Sequence, residues 1–480
     1  MSNPDRVGVA AVVIMAAGAG TRMKSATAKV LHPLAGRSML SYAVEAASAL
    51  EPENLVVVIG HQRDQVKAHL DEIAPQVVTA VQEEPRGTGD AVRSGLSVLG
   101  ELTGDVVVTS GDVPLLTGDT LRELLEAHRL GGNAVTVLTT IAPDPTGYGR
   151  IVREGGQVAR IVEQRDASEA ERRITEINAG IYVFDAATLR AGIAALGTDN
   201  AQGELYLTDV IAFARGRDGR VGGSVLADSV QAEGINDRIQ LAALGAELNR
   251  RIQRRWMADG VTIIDPASTW IHDSVDLAAD VTLLPGTSLE GATSIAAGAV
   301  IGPDTTLIDV EVAEGARVVR SHAQLAVIGP DAQVGPYSYL RPGTQLGVKG
   351  KIGAFVETKN AQIGDGAKVP HLTYCGDATV GDGANIGAGT IFANYDGVHK
   401  SRTTVGRASF VGSDTVLVAP VEIGDGAYVA AGSTITSDVA PGELAVARGS
   451  QRNIRGWVAR KRPGTSTAAA AEAATEESAR

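Results

Sequence analysis

From about residue 262 the chain keeps a six-residue beat. Val405, Val411, Leu417, Ile423, Val429 and Ile435 follow one another at that interval, as do Val334, Leu340, Leu346 and Ile352. On an α-helix a six-residue step turns through about 240° and scatters such positions around the axis. Six is even, so an extended chain keeps them on one face. Glycine follows many of these aliphatics (Gly335, Gly347, Gly353, Gly406, Gly412, Gly424), and a small residue sits two places before several (Ser409, Thr415, Ala427, Ser433). A coil that turns a corner every six residues needs bulk in its interior and little bulk at its corners. The pattern predicts a hexapeptide solenoid. A β-sandwich would instead require alternating hairpins with Asn-Gly turns, which are missing.

The beat breaks in one region. Spacing shortens to five between Thr358 and Ile363 and between Cys375 and Val380, then stretches to thirteen between Phe392 and Val405, a gap that holds the polar segment NYDGVHK. Uncommon polar residues gather around it: Arg341, Lys359, His371, Tyr374, Asn385, Asn394, Tyr395 and Ser413. A loop expelled from a coil can reach past its own subunit and cover a cleft against a neighbour, so a site is expected here.

The first half is written in another period. VGVAAVVIMAA, NLVVVIG, DVVVTSGD and NAVTVLTT alternate with helix-like SYAVEAASAL and TLRELLEAHRL. Short runs apolar on both faces and separated by helices predict an α/β domain, a parallel sheet covered on both sides. A length of 480 residues calls for more than one domain. We expect an α/β domain over 1–235, a helical linker over 236–261, the solenoid over 262–462 and a tail over 463–480. In the linker Leu241, Leu244, Leu248, Ile252 and Trp256 form one apolar stripe, which suits a connecting arm and a packed surface helix equally. The tail, RPGTSTAAAAEAATEESAR, has little to bury and is expected to be disordered.

A net charge of −13 argues against bulk binding to nucleic acid or anionic membrane, so any phosphate ligand must be held by a few placed cations. Cys375 is the single cysteine, MSNPDR lacks the features of a signal peptide, and the apolar stretch from Val7 to Ala17 falls short of the roughly 20 residues that span a bilayer. These features predict a cytoplasmic protein.

The strand VGVAAVVIM runs into AAGAGTRMKSATAKVLH. Met23 stands where a dinucleotide fingerprint needs its third glycine, and no Gly-Lys-Ser/Thr P-loop is present. What remains is a glycine turn at the carboxyl end of a strand, able to wrap an anion, followed by Arg22 and Lys29. On these residues alone a purely structural turn accounts for the segment as well. DVVVTSGD ends another buried strand at Asp112, where an open α/β sheet binds ligands; a turn or helix cap is the alternative.

The ordered set GAGTRM, Lys29 and VLH resembles the signature of sugar-1-phosphate nucleotidylyltransferases, with Ala28 where that family usually has proline, a change expected to loosen the turn. QEEPRGTGDAV, GYGR, IVEQ, INAGI and EGIND follow in family order. The resemblance implies that Ala16, Ala17, Gly18, Lys29, Gln82, Gly87, Thr88, Gly149, Glu163, Asn178 and Asn236 bind UTP and the nucleotide sugar. It also implies that Arg22 and Lys29 serve catalysis and that Asp112 and Asn236 hold Mg²⁺. Such chemistry needs little equipment: the attacking sugar-1-phosphate oxygen is already anionic, so catalysis reduces to aligning two phosphates and neutralising the departing pyrophosphate.

The solenoid is similar to left-handed parallel β-helices, whose members usually trimerise. Over residues 7–462 the chain resembles the bacterial family that joins a uridylyltransferase half to an acetyltransferase half. That resemblance implies acetyl transfer from acetyl-CoA to the amine of glucosamine-1-phosphate, then UTP-dependent conversion to UDP-N-acetylglucosamine for cell-wall polysaccharide. It assigns glucosamine-1-phosphate to Arg341, Lys359, Tyr374 and Asn385, and acetyl-CoA to Ala388, Asn394, Tyr395, Ser413, Ala431, Arg448 and Trp457. Trp457 lies in the basic run RNIRGWVARKR, for which a solvated tail is nearly as good an account. The amine must lose a proton to attack a thioester, and histidine, with an ordinary pKa near 6.5, can accept it. His371 is the candidate base, Asn394 would orient the base or substrate, and Ser413 would donate to the developing oxyanion. Three other readings stay open: a nucleotide-sugar enzyme whose solenoid is scaffold, a regulatory subunit with two degenerate sites, and a metal-dependent solenoid of the carbonic anhydrase kind, which the poor histidine supply disfavours.

Overall fold

The computed structural model describes residues 8–478, so MSNPDR, the stretch read for signal-peptide features, lies outside the described residues. The chain divides into two compact units, Met1–Leu277 with Ser288–Thr293, and Ala278–Thr287 with Ser294–Arg480.

In the first unit the apolar runs are strands: β1 (Val9–Met15), β2 (Leu55–Ile59), β3 (Val78–Val81), β4 (Asp105–Ser110), β5 (Val135–Ile141), β6 (Arg150–Glu154), β7 (Gln157–Val162), β8 (Glu176–Asp185) and β9 (Val221–Leu226). They form one sheet in the order β9-β5-β8-β4-β1-β2-β3, with β6 joined to β8 and β7. β1 runs parallel to β2 and β4, and β2 to β3. The expected all-parallel sheet is in fact mixed, because β8 runs antiparallel to β4 and β5. The double burial is as the composition predicts: Val12, Ile14, Val57 and Val107 enter one core, while Ala11, Val13, Val56, Val58, Val106 and Val108 enter another. Successive side chains of a strand point to opposite faces, so both faces of the central strands need apolar cover.

The stripe Leu244, Leu248 and Ile252 is buried along a helix, Arg238–Ala258, that belongs to the first unit. Asp237 caps it by accepting from the N–H groups of Ile239 and Gln240, both at 2.9 Å.

The second unit is a parallel β-helix. The six-spaced aliphatics point inward and are buried, from 0% exposed at Leu340, Ile352, Val405, Val411, Leu417 and Ile423 to 4% at Ile435. The small residues two places before them are not corner residues, as the spacing suggested. Ser409, Thr415, Ala427 and Ser433 are themselves buried, because a step of two along a strand returns to the same face. Their hydroxyls are satisfied locally: Thr415 Oγ1 donates to Gly412 O at 2.7 Å, and Ser409 Oγ to Gly424 O at 2.8 Å. Glycine marks the corners; a Cβ on Gly353 would lie 1.9 Å from Pro370 O in the next coil.

Register follows the beat. Val416 pairs with Thr434, a regular coil of three hexapeptides, and Lys351 pairs with Lys368, one residue shorter. Ala378 pairs with Thr403, a coil enlarged by the NYDGVHK insertion. The tail expected to be disordered contains a helix, Ser466–Ser478, since its alanines and glutamates are strong helix formers; it stays exposed apart from Ala468.

Two candidate active sites

In the first unit, β1 ends at Met15 and the chain turns sharply at Gly20, whose φ is +58° and whose absent Cβ would lie 2.6 Å from Lys29 Cβ. Only glycine allows this close approach. Thr21–Met23 then makes a single 3₁₀ turn that buries Met23 and leaves Arg22 exposed. Ala28, expected to loosen the next turn, takes a proline-like φ of −56° and donates its N–H, which proline lacks, to Gln65 Oε1 at 3.2 Å.

Lys29 reaches from this turn to two residues far along the chain. Its ammonium donates to Asp112 Oδ2 at 2.5 Å and to Asn236 Oδ1 at 3.1 Å. Asp112 follows β4, accepts from Ser110 Oγ at 2.7 Å through its other oxygen, and takes the Ile235 N–H on its main-chain oxygen at 2.9 Å. Asn236 directly precedes the Asp237 cap and donates its own N–H to Gln240 Oε1 at 2.7 Å. A cleft of about 270 Å³ opens over this cluster, walled by Ala16 to Gly18, Lys29 and Asp112 on one side and by Gln82, Gly87 and Thr88 on the other. Arg22 does not line it. Ser110 and Glu204 do, and neither carries a sequence signal, since Glu204 arrives from a loop far along the chain.

Gly149, Glu163 and Asn178 form a separate group. Asn178 donates its N–H to Gly149 O at 2.9 Å, and a Cβ on Gly149 would lie 3.4 Å from Glu163 Oε1. Burial pushes the Glu163 carboxyl above its ordinary value, with Thr208 Oγ1 opposing at 3.5 Å. Tyr148, next to Gly149, has its phenol pushed up by burial and then by the charges of Glu233 and Asp112, which links this group electrostatically to the cleft.

In the solenoid, one corner collects five candidates from successive coils. Gly389 N–H donates to His371 O at 3.2 Å, Asp414 N–H to Ala388 O at 2.8 Å, Gly432 N–H to Ser413 O at 2.8 Å, and Arg448 Nη1 to Ala431 O at 2.9 Å. The column His371, Ala388, Ser413, Ala431 and Arg448 is thus stacked by backbone bonds from adjacent residues and, at its end, by the Arg448 side chain, with the His371 and Ser413 side chains exposed.

A polar cluster lies on the neighbouring sheet. Arg341 pairs with Glu357 at 2.9 Å, and Glu357 is in register with Tyr374. Asn394, 7% exposed, donates to Asp377 Oδ2 at 2.5 Å and to Tyr374 OH at 3.4 Å, while Asn360 donates to Asp377 Oδ1 at 2.8 Å. Burial works against the Asp377 carboxylate, but Asn360, Asn394, Lys359 and Lys400 hold it below the usual range. Beyond Asn394 the inserted loop is a small hairpin. Tyr395 bridges to Lys400, and the Asp396 carboxylate takes the N–H groups of Val398 and His399 at 2.7 and 2.6 Å. The hairpin returns Lys400 beside Lys359, whose ammonium is pulled below its ordinary value by contact with Lys400.

Lys400, Asp377 and Asn360 were not singled out by motif. For Lys400 the signal was available, a second cation inside the interrupting loop, whereas Asp377 and Asn360 become neighbours only through coil register. Two candidates stand apart. Asn385 sits on the other sheet, between Lys368 and Phe410, not beside Tyr374. Trp457 heads a short helix with Arg462 stacked over its ring at 5.1 Å, and among the described residues no bond ties it to Arg448. Tyr395 is exposed, its hydroxyl donating to Gly397 O at 2.6 Å. Among the described residues no group of three or more His, Cys, Asp or Glu is placed to hold a metal, and no helix is long and apolar enough to cross a membrane.

Comparison with known proteins comes out in the same order along the chain. Residues 12–177 match the MobA-like NTP transferase domain, and residues 402–437 match the bacterial transferase hexapeptide (six repeats). Proteins named bifunctional protein GlmU are similar over almost the whole chain. The one from Streptomyces coelicolor is 57% identical over 98% of this chain and 98% of its own length. That of Kineococcus radiotolerans is 56% identical over 98% and 96%, and that of Mycolicibacterium gilvum 57% over 97% and 94%.

Proposed function

The chain belongs to the bifunctional GlmU family, and from that premise we propose how its two sites divide the work. It is a bifunctional enzyme with uridylyltransferase and acetyltransferase activities. The observation that carries the assignment of sites is that each unit gathers its own polar cluster: Lys29, Asp112 and Asn236 in the first, and the His371-to-Arg448 column with the Lys359–Lys400 pair in the second.

In the first site UTP lies in the cleft with its base against Gln82, Gly87 and Thr88 and its phosphates toward Arg22 and Lys29. Gly149, Glu163 and Asn178 meet the sugar. The phosphate oxygen of N-acetylglucosamine-1-phosphate attacks the α-phosphorus, and pyrophosphate leaves with its charge shared among cations. No general base is required.

The donor set fits Mg²⁺, because Asp112 Oδ2 and Asn236 Oδ1 already converge on one cation, the Lys29 ammonium. Asp112 and Asn236 would hold such an ion, which when bound would supply neutralisation of charge on the triphosphate, and Lys29 would then be free to face the phosphates.

In the second site Arg341, Lys359 and Lys400 hold the phosphate of glucosamine-1-phosphate, with Tyr374 against the sugar. His371 takes the proton from the amine, the amine attacks the thioester carbon of acetyl-CoA, and the coenzyme thiolate leaves. Acetyl-CoA lies along the corner column, with Ser413 donating to the oxyanion and Arg448 toward the coenzyme's phosphates. Asn385, Tyr395 and Trp457 belong to this site only if a neighbouring copy brings ligand or chain to them, which suits a homotrimer assembled through the solenoid. The enzyme acts in the cytoplasm and feeds cell-wall polysaccharide.

The test is a coupled assay with glucosamine-1-phosphate, acetyl-CoA, UTP and Mg²⁺, omitting one at a time. Free thiol should appear without UTP, and pyrophosphate should appear from N-acetylglucosamine-1-phosphate without acetyl-CoA. Thiol release that requires UTP would refute two independent sites.

A further inference from the structure

Gln82 follows β3 and is only 8% exposed, its N–H bonded to Ile59 O at 2.8 Å. Its side-chain nitrogen donates to Asp90 Oδ2 at 2.8 Å and to Gly87 O at 3.2 Å. A carboxylate and a carbonyl can only accept, so the amide cannot turn over without setting its own oxygen against both. Gln82 Oε1 is thereby left as the group that faces a ligand. It accepts from no protein donor among the described residues, in a side chain that lines the cleft.

Asp90 is itself fixed. It is 7% exposed on the helix Thr88–Ser97, and its other oxygen takes the Arg93 guanidinium. At the head of that helix the backbone N–H groups of Gly87 and Thr88 have no protein acceptor among the described residues. The cleft wall therefore offers one fixed acceptor and two donors.

We propose that Asp90 determines which base the first site accepts, by holding Gln82 with its carbonyl oxygen toward the ligand. A fixed acceptor beside backbone donors complements an imide, an N–H between two carbonyls, as in uracil. It opposes cytosine, whose ring nitrogen at that point is an acceptor. Asp90 is a positioning residue and touches no substrate. The inference rests on the reading of the first site as one for UTP.

The experiment is steady-state pyrophosphate release by the full-length enzyme with UTP, CTP and N3-methyl-UTP. Wild type should use N3-methyl-UTP, which lacks the imide N–H, at least about a hundredfold less well than UTP in kcat/KM. Asp90→Leu, which removes the closer of the two acceptors that hold the amide, should narrow the UTP-to-CTP ratio of kcat/KM at least about tenfold. Asp90→Asn, which keeps an acceptor, should restore most of that ratio, and thiol release by the second site checks folding. Equal loss with UTP and CTP in Asp90→Leu, or equal use of UTP and N3-methyl-UTP by wild type, would overturn the role of Asp90. Failure of wild type to use UTP at all would instead overturn the underlying reading of the site.

Discussion

The two units assemble polar clusters by opposite routes. In the first, the contacts that matter join residues remote in sequence: Lys29 to Asp112 across 83 positions and to Asn236 across 207. In the second, Asn394 meets Asp377 across 17 and Tyr374 across 20, about one coil of the solenoid. An α/β site gathers loops from the ends of many strands, so it exists only once the whole sheet is formed. A solenoid site needs neighbouring coils alone, and each coil contacts only its neighbours. The first cluster should therefore be all-or-none with its unit, and the second should tolerate damage a few coils away.

The largest effect that would break this division is at Asp112. Asp112→Ala should lower uridylyl transfer by at least about a thousandfold, since it strips both Lys29 and the proposed cation site of their carboxylate, while thiol release from acetyl-CoA stays near wild type. Parallel loss in both assays would mean that the two sites are not separable.

The mirror experiment is His371→Ala, with acetyl transfer falling by about 10²- to 10⁴-fold and uridylyl transfer preserved. Partial recovery of acetyl transfer on adding free imidazole would sharpen the point, and equal loss of both activities would indicate misfolding instead of a missing base.

Stability provides the next comparison. Phe392 is fully buried in the solenoid, in the strand that precedes the inserted loop. Phe392→Ala should cost that unit about 3–5 kcal/mol. Urea unfolding followed by each activity should show acetyl transfer lost earlier than in wild type, with uridylyl transfer lost at an unchanged midpoint. A shared shift of both midpoints would indicate one cooperative block.

The smallest expected effect is a pH dependence confined to the first unit. Burial raises the Glu163 carboxyl above its ordinary 4.5, so the folded state holds this proton more tightly than the unfolded chain. The stability it contributes is fully present below 4.5 and is lost as pH rises through the raised folded value. Glu163→Gln should flatten the decline in that unit's urea midpoint as pH rises above 4.5, without altering the second unit. A decline equally steep in the variant would assign it to other groups.

Legibility in the sequence followed the same divide. The solenoid was readable because its contacts repeat at the period of its own sequence, and the break at NYDGVHK pointed to a site. Coil register then brought His371, Ala388, Ser413, Ala431 and Arg448 to one corner, which no single motif states. In the first unit, runs such as VAAVVIM identified buried strands, yet the antiparallel course of β8 had no local mark, because pairing direction depends on the connection and not on the strand's composition. The partner of the Ala28 N–H was unreadable for a related reason: Gln65 lies 37 residues away.

What the sequence determined by itself was whatever a short period can encode: the two architectures, the inward faces, the glycine turn and the polar residue types available to each unit. The tertiary structure decided which of those residues meet. It turned the Gln82 amide through Asp90, set Lys29 between Asp112 and Asn236, and returned Lys400 to Lys359. Side-chain geometry of that kind is fixed by partners distant along the chain, and a linear pattern carries no record of how far apart in space two of its positions will come to rest.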